Sequence, residues 1–387
     1  MRTAIATGRY VKPHETMINR HIVHLFDGNT CVICNETSDP LPDKEFINWR
    51  NIRQSFQDRV LGTPEKVRLR KEYHARDIPW GRKKRLLKRF LRDQGVEIIL
   101  CEVGTQGIRI GPIARELGIP FVVYFRGADA TSELNKPGRI EAYRKMSTEA
   151  SAFISVAQCL LDNLTAHGIA HKRNYILPSG VDVRRFTPGE KIPKRFVAVG
   201  RMIEKKAPLL TLRAFCDIAE RDPEASLEML GGGEFLEEAR GYVKMRGMSE
   251  QVFLRGESPH DEVMRALREA QVFIQHSVVA SDGNTEGLPT AIQEAMACGL
   301  AILSTRHAGI PEAVTPHENG LLVDEFDLDG FRDCIRAMLS GEMDIAKMGR
   351  ASRARAEKYY DNAHLLMRTE EILREIAREH AERATAA

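Results

Sequence analysis

The chain has 387 residues, of which 43% are hydrophobic and 29% are charged, and its formal net charge at pH 7 is +3. This length is too great for one ordinary core and suits two α/β domains, while the balance of apolar and charged residues excludes bulk disorder. No apolar run approaches the length of about 18 residues that a membrane-spanning helix needs, and the N-terminal stretch is too short and polar for a secretory signal, so we expect a cytoplasmic protein.

Strand and helix patterns alternate through the first half of the chain. The strand candidates, rich in Val, Ile and Phe, are TAIAT, NTCVIC, VEIILC, PFVVYF, AFISVA and NYILP. Such strands separated by helices predict a parallel sheet that is covered on both faces. Cys31 and Cys34 have CxxC spacing, but they lie within one of these strands and no second Cys or His pair completes a metal site. The seven dispersed cysteines therefore predict free thiols.

A strongly basic helical segment follows at residues 81–92. Its basic residues are Arg82, Lys83, Lys84, Arg85, Lys88, Arg89 and Arg92. Its apolar residues, which can share one face of the helix, are Leu86, Leu87, Phe90 and Leu91. The pattern predicts either a helix lying on an anionic membrane surface, with the protein peripheral on the inner face, or an ordinary surface helix whose apolar stripe packs in the core. Nucleic acid is not expected as a partner, because no aromatic stacking platform is interleaved with the charge.

The segment 178–195 has the composition of a linker between domains. It holds three prolines, two glycines and many charges, and it has no hydrophobic periodicity. Beyond it, the strand candidates RFVAVG, SLEMLG, QVFLRG, QVFIQHS, AILST and NGLLV again alternate with helices. The sequence therefore predicts an α/β protein with two Rossmann-like, doubly wound domains at 1–185 and 186–355, followed by helices at 356–387. Ligands of such sheets bind beyond the carboxyl ends of the strands, so the loops at those ends are where we look for chemistry.

Two glutamates stand eight positions apart in the loop and helix that follow the strand QVFIQHS. Glu286 precedes the predicted helix, which begins near Pro289 and ends at Gly299, and Glu294 lies inside it. The helix start leaves backbone N–H groups available to an anion, namely those of Gly287, Leu288 and Thr290. Carboxylates accept strong hydrogen bonds from vicinal hydroxyls. A ligand that is anionic in its middle and rich in hydroxyls at both ends, such as a nucleotide sugar, fits this arrangement.

The residues around this pair, EGLP, EAMACGLAILST and GIPE, resemble the signature of the retaining glycosyltransferases of family 4. That family has the GT-B fold, in which two Rossmann-like domains face each other across a cleft. The resemblance implies that Glu286 is a catalytic residue at the donor sugar hydroxyls, with Pro289 in the same donor-binding loop, and that Glu294 binds the ribose. It also implies that the C-terminal helices cross back to the first domain, which would hold the acceptor side.

The stretch FVAVGRMIEKKAPLL resembles the family at a second place. Gly200 ends a strand and allows the backbone to pass close to a ligand. The resemblance implies that Arg201 and Lys206 clamp the donor diphosphate and neutralise the leaving group, with Lys205 as the alternative to Lys206. The family usually has glycine after the lysine, where this chain has Ala207.

Two further strand ends resemble the donor site of the family. The turn LGGGE places Gly231 near the donor, where a glycine-rich turn can cradle phosphate. The loop after VFLRG contains Arg255 and Gly256, and the resemblance implies that its main chain holds the nucleobase.

The first domain resembles the family less closely. PFVVYFRGADAT matches a loop in which the family usually has histidine before Gly-x-Asp, and here that position is Arg126, followed by Asp129. The resemblance makes both candidate catalytic residues, although an arginine stays protonated and can only donate hydrogen bonds to sugar or phosphate. The alternative is a structural pairing of Arg126 with Asp129. An N-terminal loop with Glu15 and Thr16 resembles one that approaches donor phosphate or acceptor.

These features predict a hexosyltransferase that acts with retention on a nucleoside-diphosphate sugar, with UDP favoured over GDP, and that transfers to a hydroxyl of a saccharide or lipid-linked acceptor. We expect no cofactor and no metal, because no Asp-x-Asp motif stands at a strand end and a helix N-terminus with two cations can neutralise the diphosphate. The alternative is a non-catalytic sugar-nucleotide-binding partner in a glycan-assembly complex, which Arg126 in place of histidine favours. A dehydrogenase is disfavoured, because no GxGxxG follows the first strand.

Overall fold

The computed structural model describes residues 1–10, 16–37 and 44–386. These residues form two compact units, of which the first comprises Met1–Pro178 and His364–Ala387 and the second Ser179–Ala363. Of the N-terminal loop that the resemblance singled out, Glu15 and the side chain of Thr16 lie outside the described residues.

The boundary between the units differs from the predicted one. Residues 179–185 belong to the second unit because their backbone is bound there. Val181 forms a parallel bridge with Asp361, and the Arg353 guanidinium donates to the Val183 carbonyl at 2.9 Å. The division at residues 178 and 179 is thus set by contacts between residues distant in sequence, which composition does not encode.

The first unit is built on a seven-stranded sheet. Its strands are β1 (Thr3–Tyr10), β2 (Thr30–Thr37), β3 (Phe46–Asn48), β4 (Ile98–Cys101), β5 (Phe121–Phe125), β6 (Ala152–Ser155) and β7 (Asn174–Ile176). They lie in the order β3-β2-β1-β4-β5-β6-β7, and all neighbours are parallel. β4 and β5 are buried along their whole length, as expected for strands covered on both faces. The order is doubly wound, with its reversal between β1 and β4.

Helices flank this sheet. They are α1 (Thr16–His24), α2 (Phe56–Leu61), α3 (Thr63–Tyr73), α4 (Gly81–Asp93), α5 (Gly104–Leu117), α6 (Arg139–Ser147) and α7 (Gln158–Ala166). Helix α4 is the predicted basic helix, and Leu87 and Leu91 of its apolar stripe are fully buried. For α4 the structure therefore supports the second of the two interpretations, a surface helix whose stripe packs in the core. No helix in the described part of the chain is both long enough and apolar enough to span a membrane.

The cysteines are free thiols, as predicted. Cys31 and Cys34 lie on β2, where burial raises the pKa of each thiol to about 12. They are therefore core residues of a strand. Within the described ranges, no group of three His, Cys, Asp or Glu side chains is arranged to hold a metal ion.

The second unit is built on a six-stranded sheet with the same winding. Its strands are β8 (Arg195–Val199), β9 (Ser226–Leu230), β10 (Val252–Gly256), β11 (Val272–Ile274), β12 (Ala301–Thr305) and β13 (Gly320–Val323). They lie in the order β10-β9-β8-β11-β12-β13, and all neighbours are parallel. The reversal of strand order falls between β8 and β11, and a doubly wound sheet binds its ligand at this point, beyond the strand ends.

Helices also flank the second sheet. They are α8 (Pro208–Ala219), α9 (Leu236–Met245), α10 (His260–Glu269), α11 (Thr290–Ala297), α12 (Ile310–Ala313), α13 (Leu328–Ser340) and α14 (Ile345–Tyr359). The last helix, α15 (Asn362–Ala386), belongs almost wholly to the first unit. There Glu370 accepts a hydrogen bond from the Phe26 backbone N–H at 2.7 Å, and Glu379 pairs with Arg173 at 2.8 Å.

Candidate active site

The loops after β8, β9 and β10 are bound to one another through their backbones. The N–H of Gly200 donates to the Leu230 carbonyl at 2.9 Å, and the N–H of Gly231 donates to the Gly256 carbonyl at 2.7 Å. Gly231 has φ of +144°, and a Cβ at this position would lie 2.0 Å from the Gly200 carbonyl oxygen. Only glycine permits so close an approach. The predicted glycines thus form one continuous backbone surface at the carboxyl edge of the sheet.

The carboxylate of Glu286 lies between two ammonium groups of the loop after β8. Lys206 Nζ is 3.2 Å from Glu286 Oε1, and Lys205 Nζ is 3.5 Å from Glu286 Oε2. Lys206 Nζ also donates to Gln275 Oε1 at 3.3 Å, at the end of β11. The two lysines that the sequence offered as alternatives therefore both contact the same glutamate.

The electrostatics of Glu286 follow from this arrangement. Burial by itself raises the pKa of its carboxyl, but the ammonium groups of Lys206 and Lys205 outweigh that effect and lower the pKa to about 2. The pKa of Lys205 is lowered, first by burial and then by repulsion from Lys206 and Arg201, with Glu286 acting in the opposite direction. Glu286 is therefore a permanent anion at neutral pH.

Part of the hydrogen-bonding capacity of this cluster is unused. Glu286 Oε1 is buried yet accepts no well-aligned hydrogen bond from the described residues. Arg201 is exposed, and its guanidinium makes no hydrogen bond or ion pair within the described part of the chain. The Lys206 ammonium lies 3.2 Å from this Glu286 atom but is poorly aligned with it, so a ligand hydroxyl could supply a better-directed donor. The cluster therefore favours a ligand that brings both hydroxyl donors and negative charge.

The loop from Glu286 to helix α11 presents backbone donors. Neither Gly287, Leu288 nor Thr290 donates its N–H to another residue that the structure describes. Pro289 immediately precedes the helix rather than occupying its first turn as predicted, a shift of one position. The three N–H groups lie where the helix dipole is positive, which suits an anion.

Glu294 lies one turn inside α11 and differs from Glu286. Its carboxylate is partly buried and makes no hydrogen bond or ion pair with any residue in the described ranges. Burial raises its pKa to about 7, although the charge of Lys206 acts in the opposite direction. A ligand that donates hydrogen bonds to the ionised form would lower this pKa.

His307 and Glu325 hold the Glu286 loop, although the sequence analysis did not single them out. The backbone N–H of Glu286 donates to His307 Nε2 at 3.1 Å, and His307 Nδ1 is 2.6 Å from Glu325 Oε1. Because Nε2 accepts, the proton of the neutral ring resides on Nδ1 and is donated to Glu325. Both residues follow the carboxyl ends of strands, β12 and β13, and that position was the available signal.

The side chain of Arg255 is engaged away from this cluster. Its Nε is 2.9 Å from Glu228 Oε1, and Arg265 approaches the same buried carboxylate at 2.9 Å. Arg255 thus neutralises a buried glutamate of β9. The predicted contact of the Gly256 loop with a nucleobase concerns main-chain atoms and stays a prediction.

In the first unit, Arg126 pairs with a residue that was not predicted. Its Nε is 3.1 Å from Glu102 Oε2, and its guanidinium lies 3.9 Å from the ring centroid of Tyr124. Glu102 is fully buried at the end of β4, and its other oxygen is 2.6 Å from His21 Nδ1. Burial raises the pKa of Glu102, but Arg126 and His21 outweigh that effect and lower it to about 2.

Asp129 is engaged by backbone donors. Its carboxylate accepts from the N–H groups of Gly104 and Arg126 at 2.9 Å and of Gly127 at 3.0 Å. Burial raises the pKa of the Asp129 carboxyl, and this effect outweighs that of the three backbone donors, which act to lower it. The predicted structural relation of Arg126 and Asp129 therefore exists through the Arg126 backbone, while the guanidinium binds Glu102. Catalytic roles for these two residues stay predictions.

The structure thus brings one set of the predicted residues together in the second unit. These residues are Gly200, Arg201, Lys205, Lys206, Gly231, Gly256, Glu286, Gly287, Leu288, Pro289, Thr290 and Glu294. Arg126 and Asp129 belong to the first unit.

Two family profiles match consecutive halves of the chain. "Glycosyltransferase Family 4" matches residues 19–185, and "Glycosyl transferases group 1" matches residues 183–355. Together they span the carboxyl ends of every strand named above except β1.

Individual relatives agree with these profiles. The chain is 26% identical over 289 residues to the amylovoran biosynthesis glycosyltransferase AmsK of Erwinia amylovora, covering 73% of this chain and 70% of that protein. It is 25% identical over 281 residues to a GDP-mannose-dependent alpha-(1-6)-phosphatidylinositol monomannoside mannosyltransferase of Mycolicibacterium smegmatis, covering 69% of this chain and 73% of that protein. Across these and three other bacterial relatives the chain spans 58–73% of the relative's length.

A solved structure shows the same fold. The chain resembles Alr3699/HepE of Anabaena in complex with UDP with a TM-score of 0.76 and 13% identity, covering 97% of this chain and 100% of that one. This likeness confirms the predicted GT-B fold, with two parallel-sheet Rossmann-like domains. The chain belongs to the glycosyltransferases of family 4, the group 1 glycosyl transferases.

Proposed function

We propose that this glycosyltransferase moves a hexose from a nucleoside-diphosphate sugar to a hydroxyl of a saccharide or lipid-linked acceptor, with retention at the anomeric carbon. One observation carries the proposal: an ionised, buried Glu286 with an unused acceptor atom stands directly before backbone donors, and Glu294 lies one turn further on. A nucleotide sugar presents its groups in the same order: the hexose hydroxyls, the diphosphate and the ribose hydroxyls.

The diphosphate would lie over the start of α11. The N–H groups of Gly287, Leu288 and Thr290 supply neutral donors there, and Arg201 is an exposed cation without an acidic partner in the described chain. Such fixed donors and charges stabilise the negative charge that develops on the leaving group without reorganising in the transition state. We propose that they serve in place of a metal ion.

The two carboxylates would bind the sugars on either side of the diphosphate. Glu286 would accept hydrogen bonds from hexose hydroxyls, and Glu294 from the hydroxyls of the ribose. Each charge-assisted hydrogen bond contributes about 1.5–3 kcal/mol. The order of these residues along the chain, with Glu286 before the helix start and Glu294 one turn inside the helix, supports this assignment.

The proposed transfer is a substitution on one face of the hexose. The bond between the anomeric carbon and the diphosphate oxygen breaks, and a bond from the acceptor oxygen forms on the same face. The acceptor proton passes to the departing phosphate oxygen. Lys206 and Arg201 would neutralise the diphosphate as its charge increases.

The donor base and the acceptor class are part of this proposal. We take a UDP-sugar as the first donor to test, and the named GDP-mannose dependence of the Mycolicibacterium relative makes GDP-mannose the second. The relatives are named for amylovoran biosynthesis and for a phosphatidylinositol mannoside, so we propose an acceptor in polysaccharide or glycolipid synthesis.

The proposal is tested in two steps with the purified full-length chain. A panel of UDP- and GDP-hexoses is first screened by thermal shift, because a ligand of the folded state raises the melting temperature. Donors that bind are then incubated with saccharide and lipid-linked acceptors, and the anomeric configuration of any product is determined by NMR. Absence of a shift with every donor contradicts the proposal. Binding without transfer to any acceptor would favour the non-catalytic alternative, and an inverted product would contradict the retaining mechanism.

A further inference from the structure

The positive charge of the chain is concentrated in one segment. Residues 50–92 contain 15 Lys and Arg against 4 Asp and Glu, a net charge of +11. The whole chain carries only +3, so the remaining residues carry a net charge of −8. The proposed donor site, at residues 200–294, lies outside this segment. A concentration of this kind attracts an anionic partner to one place on the protein.

The same segment exposes large apolar side chains. Phe56, Val60 and Leu61 of α2 are 82%, 55% and 78% exposed, and Val67 of α3 is 59% exposed. Four exposed large apolar side chains within twelve consecutive residues of two adjoining helices indicate an interaction site. We call these four residues with the cations around them the α2–α3 surface.

Many cations of this segment have no acidic partner among the described residues. They are Arg53, Arg59, Lys66, Arg68, Arg70, Lys71, Arg76, Arg82 and Arg92. In helix α4, by contrast, Lys84 and Lys88 pair with Glu116 at 2.8 and 3.1 Å, and Arg85 pairs with Asp58 at 2.8 Å. The charge available to a partner therefore lies mainly on and around α2 and α3.

A groove of about 590 Å³ runs beneath this surface. Its lining residues are Ile52, Gln54, Arg59, Thr63, Lys66, Val67, Arg70, Trp80 and Lys83. Lys66 Nζ lies 5.3 Å from the centroid of the Trp80 ring. The ring also packs on the α2–α3 turn, where a Cβ on Gly62 would meet it at 2.8 Å. The groove thus combines several cations with an apolar wall.

We propose that the α2–α3 surface docks on an anionic phospholipid bilayer. Phe56 and Leu61 would enter the boundary between headgroups and acyl chains, and the cations of the groove would bind lipid phosphates. Charge complementarity selects an anionic partner, and the exposed apolar side chains select one with an apolar interior. A nucleic acid would offer no apolar phase to Phe56 and Leu61.

The proposed bilayer contact lies on α2 and α3, whereas the sequence pattern placed the membrane contact at residues 81–92. Leu87 and Leu91 of the α4 stripe are buried, Leu86 and Phe90 are half-buried, and two lysines of the helix are engaged, so α4 would contribute mainly charge. The inference deepens the proposed function, because a lipid-linked acceptor would be met at the bilayer. Binding to a bilayer can nevertheless be measured without any transfer reaction, so the two proposals can fail independently.

The experiment uses the two tryptophans as probes. Trp49 and Trp80 are the only tryptophans of the sequence; Trp80 lines the groove, and the ring centroid of the buried Trp49 lies 5.5 Å from Nζ of Lys83, another residue of the groove. The full-length protein is mixed with vesicles of phosphatidylcholine alone or with about 30 mol% phosphatidylglycerol. Tryptophan emission and co-sedimentation are measured in parallel. We expect a blue shift and sedimentation only with the anionic vesicles.

Matched variants separate insertion from simple attraction. Phe56→Ser with Leu61→Ser should weaken the partition to anionic vesicles by about tenfold or more, because two apolar side chains no longer enter the bilayer. The control, Met245→Ser with Met367→Ser, removes exposed apolar side chains elsewhere and should bind like the wild type. Replacing Lys66 and Arg70 by Gln should weaken the preference for anionic lipid by about tenfold or more, because each cation near the surface contributes about 1 kcal/mol.

Three outcomes would overturn the inference. The wild type would stay in the supernatant with every vesicle, or the Phe56→Ser, Leu61→Ser variant would bind as well as the control. Alternatively, the wild type would ignore vesicles but self-associate in sedimentation analysis, and that association would be lost in the same variant. Donor thermal shifts are measured on all variants, so that failure of the bilayer contact is distinguished from failure of the proposed function.

Discussion

Each sheet of this protein ends in a carboxylate flanked by basic side chains, and the two clusters are built differently. In the first unit, Glu102 contacts His21 through one oxygen and Arg126 through the other. In the second, Glu286 lies 3.2 and 3.5 Å from two lysines, and its Oε1 accepts no well-aligned hydrogen bond from the described chain. Both carboxyls have a pKa of about 2.

The comparison of the Glu102 and Glu286 clusters shows that the charge of a buried carboxylate does not by itself identify a binding site. The pKa values of the two carboxyls are the same, yet only the second cluster has unused donors and acceptors beside it. The first cluster satisfies itself and suits a structural role, while the second suits a ligand. Substitutions in the two clusters should therefore affect different properties.

The largest effect is expected for Glu102→Gln. It leaves the buried Arg126 without a counter-charge, and such a loss costs about 3–5 kcal/mol. Chemical denaturation should show this loss of unfolding free energy in the transition of the first unit. Glu116→Gln is the control, since this glutamate pairs with Lys84 and Lys88 nearer the surface and should cost less than about 1 kcal/mol. Equal losses in both variants would contradict a structural role for Glu102.

Glu286→Gln should change activity rather than stability. We expect kcat/KM to fall on the order of 10²–10³-fold, the usual cost of losing one preorganised polar group at the reacting centre. The unfolding free energy should fall by less than in Glu102→Gln, because Lys205 and Lys206 keep other acceptors, Thr285 O and Gln275 Oε1, after the substitution. Exposed Glu250→Gln is the control. Near-normal turnover in Glu286→Gln would remove this residue from the mechanism.

Donor affinity should depend on pH through Glu294. With a pKa of about 7, its carboxyl loses most of its charge between pH 8 and pH 6. If the ribose binds the ionised form, Kd for the donor should rise about tenfold over that range. Titration calorimetry of the wild type and of Glu294→Gln should show the dependence in the former only. A pH-independent Kd in the wild type would separate Glu294 from the nucleotide.

The Glu294 carboxyl should also make stability depend on pH, but here a lower pH is favourable, whereas it weakens donor binding. Its pKa rises from 4.5 to about 7 on folding, so the folded state holds the proton more tightly. The contribution of the protonated Glu294 carboxyl to the unfolding free energy is therefore complete below pH 4.5 and is lost as the pH rises to about 7. Glu294→Gln should consequently be more stable than the wild type at pH 8 but not at pH 4.5.

The smallest effect is expected for Ala207→Gly. Ala207 has φ of +38°, a left-handed conformation that costs a residue with a Cβ about 1–2 kcal/mol. After the entropy cost of glycine, the unfolding free energy should rise by about 0.5–1 kcal/mol. Ala354→Gly, at an exposed interior position of α14, should instead lower it by about 1 kcal/mol. A loss of stability in Ala207→Gly would show that the strain is absent.

The sequence indicated that the candidate residues of the second unit lie together, because most of them are close in the chain. Glu286, the loop to Thr290 and Glu294 lie within nine consecutive residues, so a helix start fixes their arrangement. The strand alternation likewise predicted both parallel sheets, since buried parallel strands read as continuous apolar runs.

The sequence predicted less where the partners are distant in the chain. Arg126 meets Glu102 from the neighbouring strand end and His21 lies beside it, and no spacing encodes that contact. Arg255 turns to Glu228 for the same reason. Helix α4 showed the right amphipathic pattern, but the pattern could not tell whether the core or a bilayer covers its apolar face.

The most direct test of the account is a crystal structure of the full-length chain with a bound nucleoside-diphosphate sugar. The account predicts the diphosphate within hydrogen-bonding distance of the Gly287, Leu288 and Thr290 N–H groups, the hexose hydroxyls on Glu286 and the ribose hydroxyls on Glu294. A nucleotide sugar bound at the Glu102 cluster, or bound in the second unit without contact to either glutamate, would contradict it.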